Sequence, residues 1–251
     1  MQQEPYTLIT GACSGIGRRI ALRLAADRRL ILHGRDEQKL TELRCSCERP
    51  EDHLLWTCDL AHVAGISASL TDLLKKDGSK VGALVHCAGV VHLRAFRLTS
   101  AETEREMFDI NFFSAVETIR CLRRQNPNRA MLTNIVLISS GSSLVGEKGN
   151  SLYTATKGAL DAFMKSLAIE LAPGARANSL LPGMVDAGMS TPIVAAPGYE
   201  NVIRDNYPLG IGHADDIAAA AHFLLSEEAR WITGQQIAVD GGFSAHSNHA
   251  N

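Results

Sequence analysis

The sequence predicts a single α/β domain built on a doubly wound parallel sheet of about seven strands. Short runs rich in Val, Ile and Leu alternate along the chain with longer amphipathic stretches. The apolar runs are nearly continuous, which is typical of parallel strands that are covered by helices on both faces. Because no shift in composition marks an internal boundary, we expect one domain over residues 1–251.

The first half of the chain contains four predicted strands. "YTLIT" at 6–10 is followed by an amphipathic helix over 16–26, in which Ile16, Ile20 and Leu24 recur at helical spacing. Further strands are expected at 30–34, 54–60 and 83–89. A long helix then covers about 100–124, because "TSAE" supplies hydroxyl caps and an early acid at its start.

The second half continues the alternation. Strands are predicted at 134–140, 175–181 and 235–241, with helices over about 152–171 and 214–225. Residues 183–212 contain prolines and glycines that argue against one continuous helix. A loop of that length in a compact domain is usually functional, so we expect a substrate lid there.

Composition excludes several classes of function. The net charge is −2 and no basic stripe is present, which argues against nucleic-acid binding. The apolar runs are too short to cross a bilayer, and "MQQEPYTLIT" lacks the pattern of a signal peptide. The six cysteines are scattered and the histidines do not cluster. We therefore predict a cytoplasmic protein with reduced thiols, no metal site and no membrane partner.

A glycine-rich turn, "TGACSGIG", joins the first strand to its helix. Glycines there allow a tight turn and a close approach of backbone to a pyrophosphate, and the helix N-terminus favours the phosphate charge. A turn with no ligand is the alternative, but the position between strand and helix favours dinucleotide binding. The residues expected to contact the cofactor are Gly11, Cys13, Ser14, Gly15, Ile16 and Gly17.

The end of the second strand, "HGRDEQ", bears on the choice of cofactor. An acid that accepts bonds from the ribose hydroxyls is typical of NAD enzymes, but Gly34 occupies this position. Arg35 follows, and an arginine can bind a 2′-phosphate through charge-assisted bonds. We therefore favour NADP(H) over NAD(H). Alternatively, Arg35 is a surface cation, and Asp36 or Glu37 reaches a ribose.

In "YTATK", Tyr153 precedes Lys157 by four residues, about one helical turn. A lysine close to a phenol favours phenolate and lowers the tyrosine pKa from about 10. A unit charge at about 5 Å supplies about 3 kcal/mol at an effective dielectric near 20. We expect an activated tyrosine, with a purely structural Tyr/Lys pair as the alternative.

The sequence resembles the short-chain dehydrogenase/reductase family over nearly its whole length, and 3-oxoacyl-[acyl-carrier-protein] reductases are included in that resemblance. The motifs that carry it are "TGACSGIG", "DL" at 59–60, "CAG" at 87–89, "FDINFF", "ISS", "YTATK", "NSLLPG" and "ITGQQIAVDGGF". The resemblance implies a single-domain Rossmann fold. It also implies an NAD(P)-dependent enzyme that transfers hydride between the nicotinamide and a ketone or secondary alcohol, with ketone reduction as the expected direction.

The resemblance further implies a catalytic tetrad of Asn111, Ser140, Tyr153 and Lys157. Tyr153 would give its proton to the carbonyl oxygen, Ser140 would hydrogen-bond that oxygen, and Lys157 would bind the nicotinamide ribose and assist Tyr153. Asn111 would hold a water that links Lys157 to solvent. Ser139 competes with Ser140, and the family spacing selects Ser140.

Other cofactor contacts are implied on the same basis, at Asp59, Leu60, Ala88, Gly89, Pro182, Gly183 and Val185. The chain departs from the family at two positions. Cys87 replaces an asparagine that braces the central sheet, and Ala187 replaces a threonine that helps to bind the cofactor.

We expect a small-molecule carbonyl or alcohol as substrate. Candidate pocket residues are Val91, His92, Ser142, Leu144, Met184, Met189 and Tyr199. Acyl carrier protein is a further candidate partner, through the basic segment 121–129. A homodimer or, more specifically, a homotetramer is expected through an apolar surface of Leu160, Phe163, Met164 and Leu167. The rival hypothesis is a non-catalytic nucleotide-binding regulator of the same fold.

Overall fold

The computed structural model describes residues 4–124 and 128–245. Its centre is a seven-stranded sheet in the order β3-β2-β1-β4-β5-β6-β7, with every neighbouring pair parallel. The strands are β1 Tyr6–Thr10, β2 Leu30–Gly34, β3 Leu54–Thr57, β4 Val81–His86, β5 Asn134–Ile138, β6 Arg176–Pro182 and β7 Gln236–Val239. The predicted doubly wound parallel sheet is confirmed.

Helices cover both faces of the sheet. They are α1 Gly15–Leu24, α2 Glu37–Ser46, α3 Val63–Asp77, α4 Ala101–Phe108, α5 Ser114–Arg124, α6 Ser151–Leu171, α7 Thr191–Val194, α8 Tyr199–Asn206 and α9 Ala214–Leu225. One core contains apolar side chains of α3, α5 and α6, and the other contains those of α1, α2 and α9. Strands β1, β2, β4, β5 and β6 therefore bury side chains on both faces, which explains their nearly continuous apolar runs.

The order of the strands reverses between β1 and β4. The chain runs outward from β1 through β2 to β3, and then crosses back so that β4 pairs with the other side of β1. At such a switch point the loops that follow two neighbouring strands diverge and leave a crevice at the carboxyl ends of the strands, where ligands bind in open α/β sheets.

Two predicted elements differ from the structure in an informative way. The helix expected over about 100–124 is interrupted by a π-helical turn at Asp109–Phe113, between α4 and α5. The segment 183–212 contains the short helices α7 and α8 rather than a bare loop. Among the described residues, no helix is long and apolar enough to cross a membrane.

Candidate active site

Three adjoining cavities follow the carboxyl ends of the strands. Their volumes are about 240, 200 and 260 Å³, and we call them the first, second and third cavity. The first and second share Gly11, Ser14, Ala88 and Gly89. The second and third share Ser140, Tyr153, Pro182, Gly183 and Ser190. Together they form one continuous crevice.

The glycine-rich turn separates the first two cavities and is packed too tightly for side chains. A Cβ on Gly11, which has a φ of +67°, would lie 2.8 Å from the Cα of Ala88. A Cβ on Gly17 would lie 2.2 Å from the carbonyl oxygen of Gly11. At Gly11 and Gly17 there is therefore room for backbone only, as close approach to a pyrophosphate requires. Ser14, Gly15, Ile16 and Gly17 line the second cavity, which brings the first turn of α1 to its surface.

His33 of β2 supports the glycine-rich turn through a hydrogen bond, a role that was not predicted from the sequence. Its Nδ1 accepts a hydrogen bond from the Gly11 amide at 3.2 Å, and its Nε2 lies 3.1 Å from the Cys58 carbonyl oxygen. An imidazole that accepts at one nitrogen and donates at the other is neutral. Burial agrees with this, since it lowers the pKa of His33 to about 4.

The first cavity brings together the residues expected at the adenosine end. Arg35, Asp59 and Leu60 all line it, and so does Lys39, a second cation that sequence reasoning missed. Asp36 caps α2, because its Oδ1 accepts a hydrogen bond from the Lys39 amide at 3.1 Å. Its other oxygen lies 3.7 Å from the Lys39 ammonium. In the described chain Arg35 has no ion-pair partner.

A steric contact explains the glycine at position 34. A Cβ there would lie 2.4 Å from the Cys13 sulfur. The Cys13 side chain therefore occupies the space that an acidic side chain at the end of β2 would enter. Such a contact cannot be inferred from the sequence, because the two residues are 21 positions apart and lie on different strand ends.

Ser140, Tyr153 and Lys157 meet in the second cavity. Lys157 is buried, its Nζ donates to the Ile138 carbonyl oxygen at 2.8 Å, and it lies 5.6 Å from the centroid of the Tyr153 ring. Burial lowers the pKa of Lys157 to about 8. Both groups lie on α6, one turn apart, as their spacing predicts.

The expected lowering of the Tyr153 pKa is wrong. Burial raises the pKa of Tyr153 to about 12, a hydrogen bond with Ser140 opposes the rise, and the charge of Glu147 adds to it. A lysine charge favours phenolate, but desolvation penalises phenolate in a buried site and is the largest influence on this pKa. At neutral pH the phenol is therefore protonated.

The two candidate serines have different surroundings. Ser139 is buried, and its hydroxyl donates to Asp161 Oδ2 at 2.9 Å. The Ser140 hydroxyl donates to Ser142 Oγ at 3.1 Å and accepts from the Ser142 amide at 3.2 Å. Ser140 also lines both the second and the third cavity. Its surroundings are thus those expected of the tetrad serine.

Asn111 lies in the π-helical turn and is fully buried. Its Oδ1 accepts from the Val90 amide at 2.8 Å, and its Nδ2 donates to the Val90 carbonyl at 2.9 Å and to Thr156 Oγ1 at 3.0 Å. The side-chain amide therefore uses both hydrogens to fasten the loop after β4 to α6. In this geometry Asn111 positions the cavity wall that contains Ala88 and Gly89.

At Cys87, the first departure from the family pattern, a neighbouring histidine provides the brace. Thr10 Oγ1 accepts from the amides of Cys87 and Ala88 at 3.1 and 3.2 Å, so its single hydrogen points to His86 Nδ1 at 3.0 Å. The other nitrogen of His86 lies 3.4 Å from Ser114 Oγ. His86 thus connects β1, β4 and the end of the π turn. Burial lowers the pKa of His86 to about 3.

Pro182, Gly183 and Val185 line the second cavity where β6 ends, together with Ala187. A Cβ on Gly183 would lie 2.7 Å from the Cα of Asp240, which explains the glycine by close packing against the segment after β7. Ala187, the second departure, precedes the turn Gly188–Ser190 and offers no side-chain cap.

The third cavity matches part of the expected substrate pocket. Val91, Ser142, Met184 and Tyr199 line it, whereas His92 pairs with Glu106 at 3.1 Å and Leu144 is half-exposed. The side chain of Met189 lies outside what the structure describes. Residues that the sequence analysis missed complete the lining, among them Glu147, Lys148, Asn150, Tyr207 and Phe243. They follow β5, β7 and α8, and only Phe243, the last residue of "ITGQQIAVDGGF", belongs to a motif.

A family model described as enoyl-(acyl carrier protein) reductase matches residues 11–244. Among curated relatives, the chain is 31% identical to L-xylulose reductase of Bos taurus, over 95% of this chain and 96% of that protein. It is 32% identical to 3-oxoacyl-[acyl-carrier-protein] reductase of Bos taurus, over 93% and 95%. The chain belongs to the short-chain dehydrogenase/reductase family and is an oxidoreductase that acts on alcohol and ketone groups.

Solved structures agree with this fold. A putative gluconate dehydrogenase from Agrobacterium tumefaciens superposes with a TM-score of 0.90 at 24% identity, over 97% of both chains. The protein ElxO with NADP bound superposes with a TM-score of 0.86 at 23% identity, over 97% of this chain and 100% of that one.

Proposed function

We propose that this protein is an NADP(H)-dependent reductase that converts a ketone to a secondary alcohol. The observation that carries the proposal is the position of Ser140 and Tyr153. Both residues line the second cavity as well as the third. The second cavity adjoins the glycine-rich turn. A group bound in the second cavity and a substrate bound in the third cavity would therefore be neighbours at the Tyr153 phenol.

The first and second cavities fit a dinucleotide. Their shared wall leaves no room for a side chain at Gly11, α1 begins at the cavity surface, and Arg35 and Lys39 supply cations at the far end. Gly11, Gly15, Asp59, Ala88 and Val185 are among the residues that would hold NADP(H). The cofactor supplies the hydride when bound.

The chain's own residues supply the proton. Tyr153 is protonated at neutral pH, because burial raises its pKa to about 12, and it donates its proton to the carbonyl oxygen. Ser140 hydrogen-bonds the same oxygen and orients it. Lys157, at 5.6 Å from the phenol ring, stabilises the phenolate that remains after proton transfer, since a nearby cation favours the charged form. Asn111 positions the part of the cavity wall that contains Ala88 and Gly89.

Two features support NADP(H) over NAD(H). Arg35 and Lys39 line the first cavity, where cations would attract a 2′-phosphate. The Cys13 sulfur takes the space that an acid at position 34 would need. A structural relative, ElxO, has been solved with NADP bound.

A specific alternative is reduction of 3-oxoacyl groups on acyl carrier protein, which the relationship to a 3-oxoacyl-[acyl-carrier-protein] reductase supports. The expected docking segment, 121–129, lies partly outside the described residues. Its described part ends α5 with Arg124, which is exposed, and Arg123, which donates to the Leu132 carbonyl at 3.4 Å.

We also propose a homotetramer, but the apolar surface predicted from the sequence does not support it. Leu160, Met164 and Leu167 are buried within one chain, so they cover the sheet rather than form a surface. Phe163 packs edge-on against Phe112, with ring centroids 5.9 Å apart, and the neighbouring Phe113 is half-exposed. Light scattering at micromolar concentration tests the assembly, and a monomeric mass would contradict it.

Consumption of NADPH with a panel of ketones and 3-oxoacyl thioesters of acyl carrier protein tests the function. We expect turnover of at least one ketone, and faster turnover with NADPH than with NADH. Tight NADPH binding without any turnover would instead favour a nucleotide-binding regulator. Selective turnover of the carrier-protein thioesters would favour the acyl reductase.

A further inference from the structure

The third cavity contains a carboxylate that the proposed reaction does not use. Glu147 lies in the loop between β5 and α6 and lines the cavity together with Tyr153. Its Oε2 accepts hydrogen bonds from Ser142 Oγ at 2.9 Å and from Asn150 Nδ2 at 2.7 Å. Two donors fix the carboxylate at one place, although the residue as a whole is exposed.

Ser142 links this carboxylate to the reacting centre. The Ser140 hydroxyl donates to Ser142 Oγ at 3.1 Å, and the Ser142 hydroxyl in turn donates to Glu147 Oε2 at 2.9 Å. Glu147 is therefore two hydrogen bonds away from the serine that orients the carbonyl oxygen. A substrate whose carbonyl lies at Ser140 extends past the carboxylate.

The charge of Glu147 acts throughout the cavity. It contributes to raising the pKa of Tyr153, Tyr199 and Tyr207, although burial is the main cause for each. A field that disfavours phenolate at three positions also disfavours a carboxylate or phosphate on a ligand. Lys148 is the cation on the same lining, and in the described chain it has no ion pair with Glu147.

The rest of the lining fixes the carboxylate and shapes the cavity. Asn150 is buried, and its Nδ2 donates to Glu147 Oε2 at 2.7 Å, so this residue holds the carboxylate in place. The opposite side of the cavity is apolar and flat, because Tyr207 and Phe243 stack with ring centroids 4.9 Å apart and planes at 13°. The volume of about 260 Å³ suits a small ligand.

We infer that the third cavity selects a small, neutral, polyhydroxylated ketone, with Glu147 accepting hydrogen bonds from its hydroxyl groups. A carboxylate accepts but cannot donate, so it fits hydroxyl donors and repels anions. This inference rests on the proposed ketone reductase activity and deepens it. L-xylulose reductase, a curated relative, is named for a substrate of this class.

Three five-carbon ketones test the inference with NADPH: L-xylulose, 2-pentanone without hydroxyls, and the anion 4-oxopentanoate. We expect kcat/KM for L-xylulose to exceed that for 2-pentanone by about a hundredfold or more, because a site built to hydrogen-bond hydroxyls rejects the analogue that lacks them. Glu147→Gln should lower kcat/KM for L-xylulose about ten- to a hundredfold, mainly through KM, since it replaces bonds to a charged acceptor.

The same variant should change kcat/KM for 2-pentanone much less than that for L-xylulose and should improve 4-oxopentanoate, because glutamine keeps an acceptor for Ser142 and Asn150 but removes the charge. The matched control is Glu170→Gln, at an exposed position near the end of the same helix that carries Tyr153, and it should change none of the three substrates. An equal loss for all three substrates in Glu147→Gln would overturn the inference, as would a wild-type preference for 2-pentanone or 4-oxopentanoate.

Binding of xylitol, measured by calorimetry with NADP present, tests the cavity without turnover. Wild type should bind xylitol, and Glu147→Gln should bind it about tenfold more weakly. Equal binding by the two proteins, or none by wild type, would overturn the inference. Reduction of 2-pentanone without discrimination would refute the inference alone, whereas xylitol binding with no ketone turned over would refute the proposed reductase instead.

Discussion

The two ends of the crevice are built in different ways. The end in the first cavity is formed by backbone at Gly11 and by side chains on or just after β2 and β3, which include the cations Arg35 and Lys39. The end in the third cavity is formed by side chains of the loops after β5, β6 and β7, and its fixed charge is Glu147. Both cavities carry charges of each sign, since Asp36 and Asp59 also line the first and Lys148 also lines the third. The two ends therefore differ in backbone against loop side chains.

The ligands proposed for the two ends account for this contrast. A dinucleotide presents the same phosphates and riboses in every enzyme of this kind, so a turn of fixed geometry next to the first strand is sufficient. A substrate differs from one enzyme to the next, and loops at the carboxyl ends of the strands can change without disturbing the sheet. The junction at Ser140 and Tyr153 joins the two ends.

The strongest test of the junction is Tyr153→Phe. Only the phenolic oxygen is removed, so turnover should fall about a hundred- to ten-thousandfold, while NADPH binding stays nearly intact. Turnover is measured from NADPH consumption and binding from cofactor fluorescence. A variant that keeps more than half of the wild-type kcat would show that Tyr153 is not the proton donor.

The contrast also explains what the sequence could predict. Strands, helix α6 and the glycine-rich turn are encoded by local patterns, and Tyr153 and Lys157 are one helical turn apart in any helix. His33, Lys39 and the Cys13–Gly34 contact depend on which strand ends become neighbours, so no local pattern marks them. Glu147 and Asn150 lie in a loop whose path depends on the packing of Ser142.

The pKa of Tyr153 shows the same limit. Its distance from Lys157 follows from helical spacing, but its burial depends on the loops that close the crevice. Desolvation is the largest influence on this pKa and outweighs the hydrogen bond with Ser140, so the shift is upward rather than downward. The sequence therefore predicts the tyrosine as a candidate proton donor but not the direction of its pKa shift.

At the cofactor end, Arg35→Ala should weaken NADPH binding about ten- to a hundredfold and leave NADH binding nearly unchanged. One charge-assisted bond pair contributes about 1.5–3 kcal/mol, and a 2′-phosphate is the group that only NADPH carries. Both reduced cofactors are titrated by fluorescence against wild type and variant. Equal loss of both would mean that Arg35 does not bind the phosphate, and would direct attention to Lys39 or to Asp36 and Glu37.

A pair of variants tests the steric basis of this preference. Gly34→Asp alone should weaken both cofactors, because its Cβ would meet the Cys13 sulfur at 2.4 Å and distort the turn. The double variant Gly34→Asp with Cys13→Ala should bind NADH better than NADPH, by about tenfold, since an acid can then accept from the ribose hydroxyls. Cys13→Ala alone is the control. If the single and double variants bind alike, the contact does not set the preference.

The smallest expected effect concerns the pH dependence of stability, through the histidine that braces β1 against β4. Burial lowers the pKa of His86 to about 3, against about 6.5 in an unfolded chain. Between these values the unfolded state binds the additional proton, so stability is complete above about pH 6.5 and is lost as the pH falls toward 3. The slope from this one group is about 1.4 kcal/mol per pH unit. Urea unfolding at pH 7, 6 and 5 measures this slope.

His86→Asn should be less stable than wild type at pH 7 but should lose less stability on acidification. The same substitution at the exposed His62 should keep the wild-type slope. His33, whose pKa burial lowers to about 4, contributes in the same direction, so the slope should shrink in His86→Asn without vanishing. An unchanged slope in that variant would mean that His86 is not the neutral brace between the two halves of the sheet.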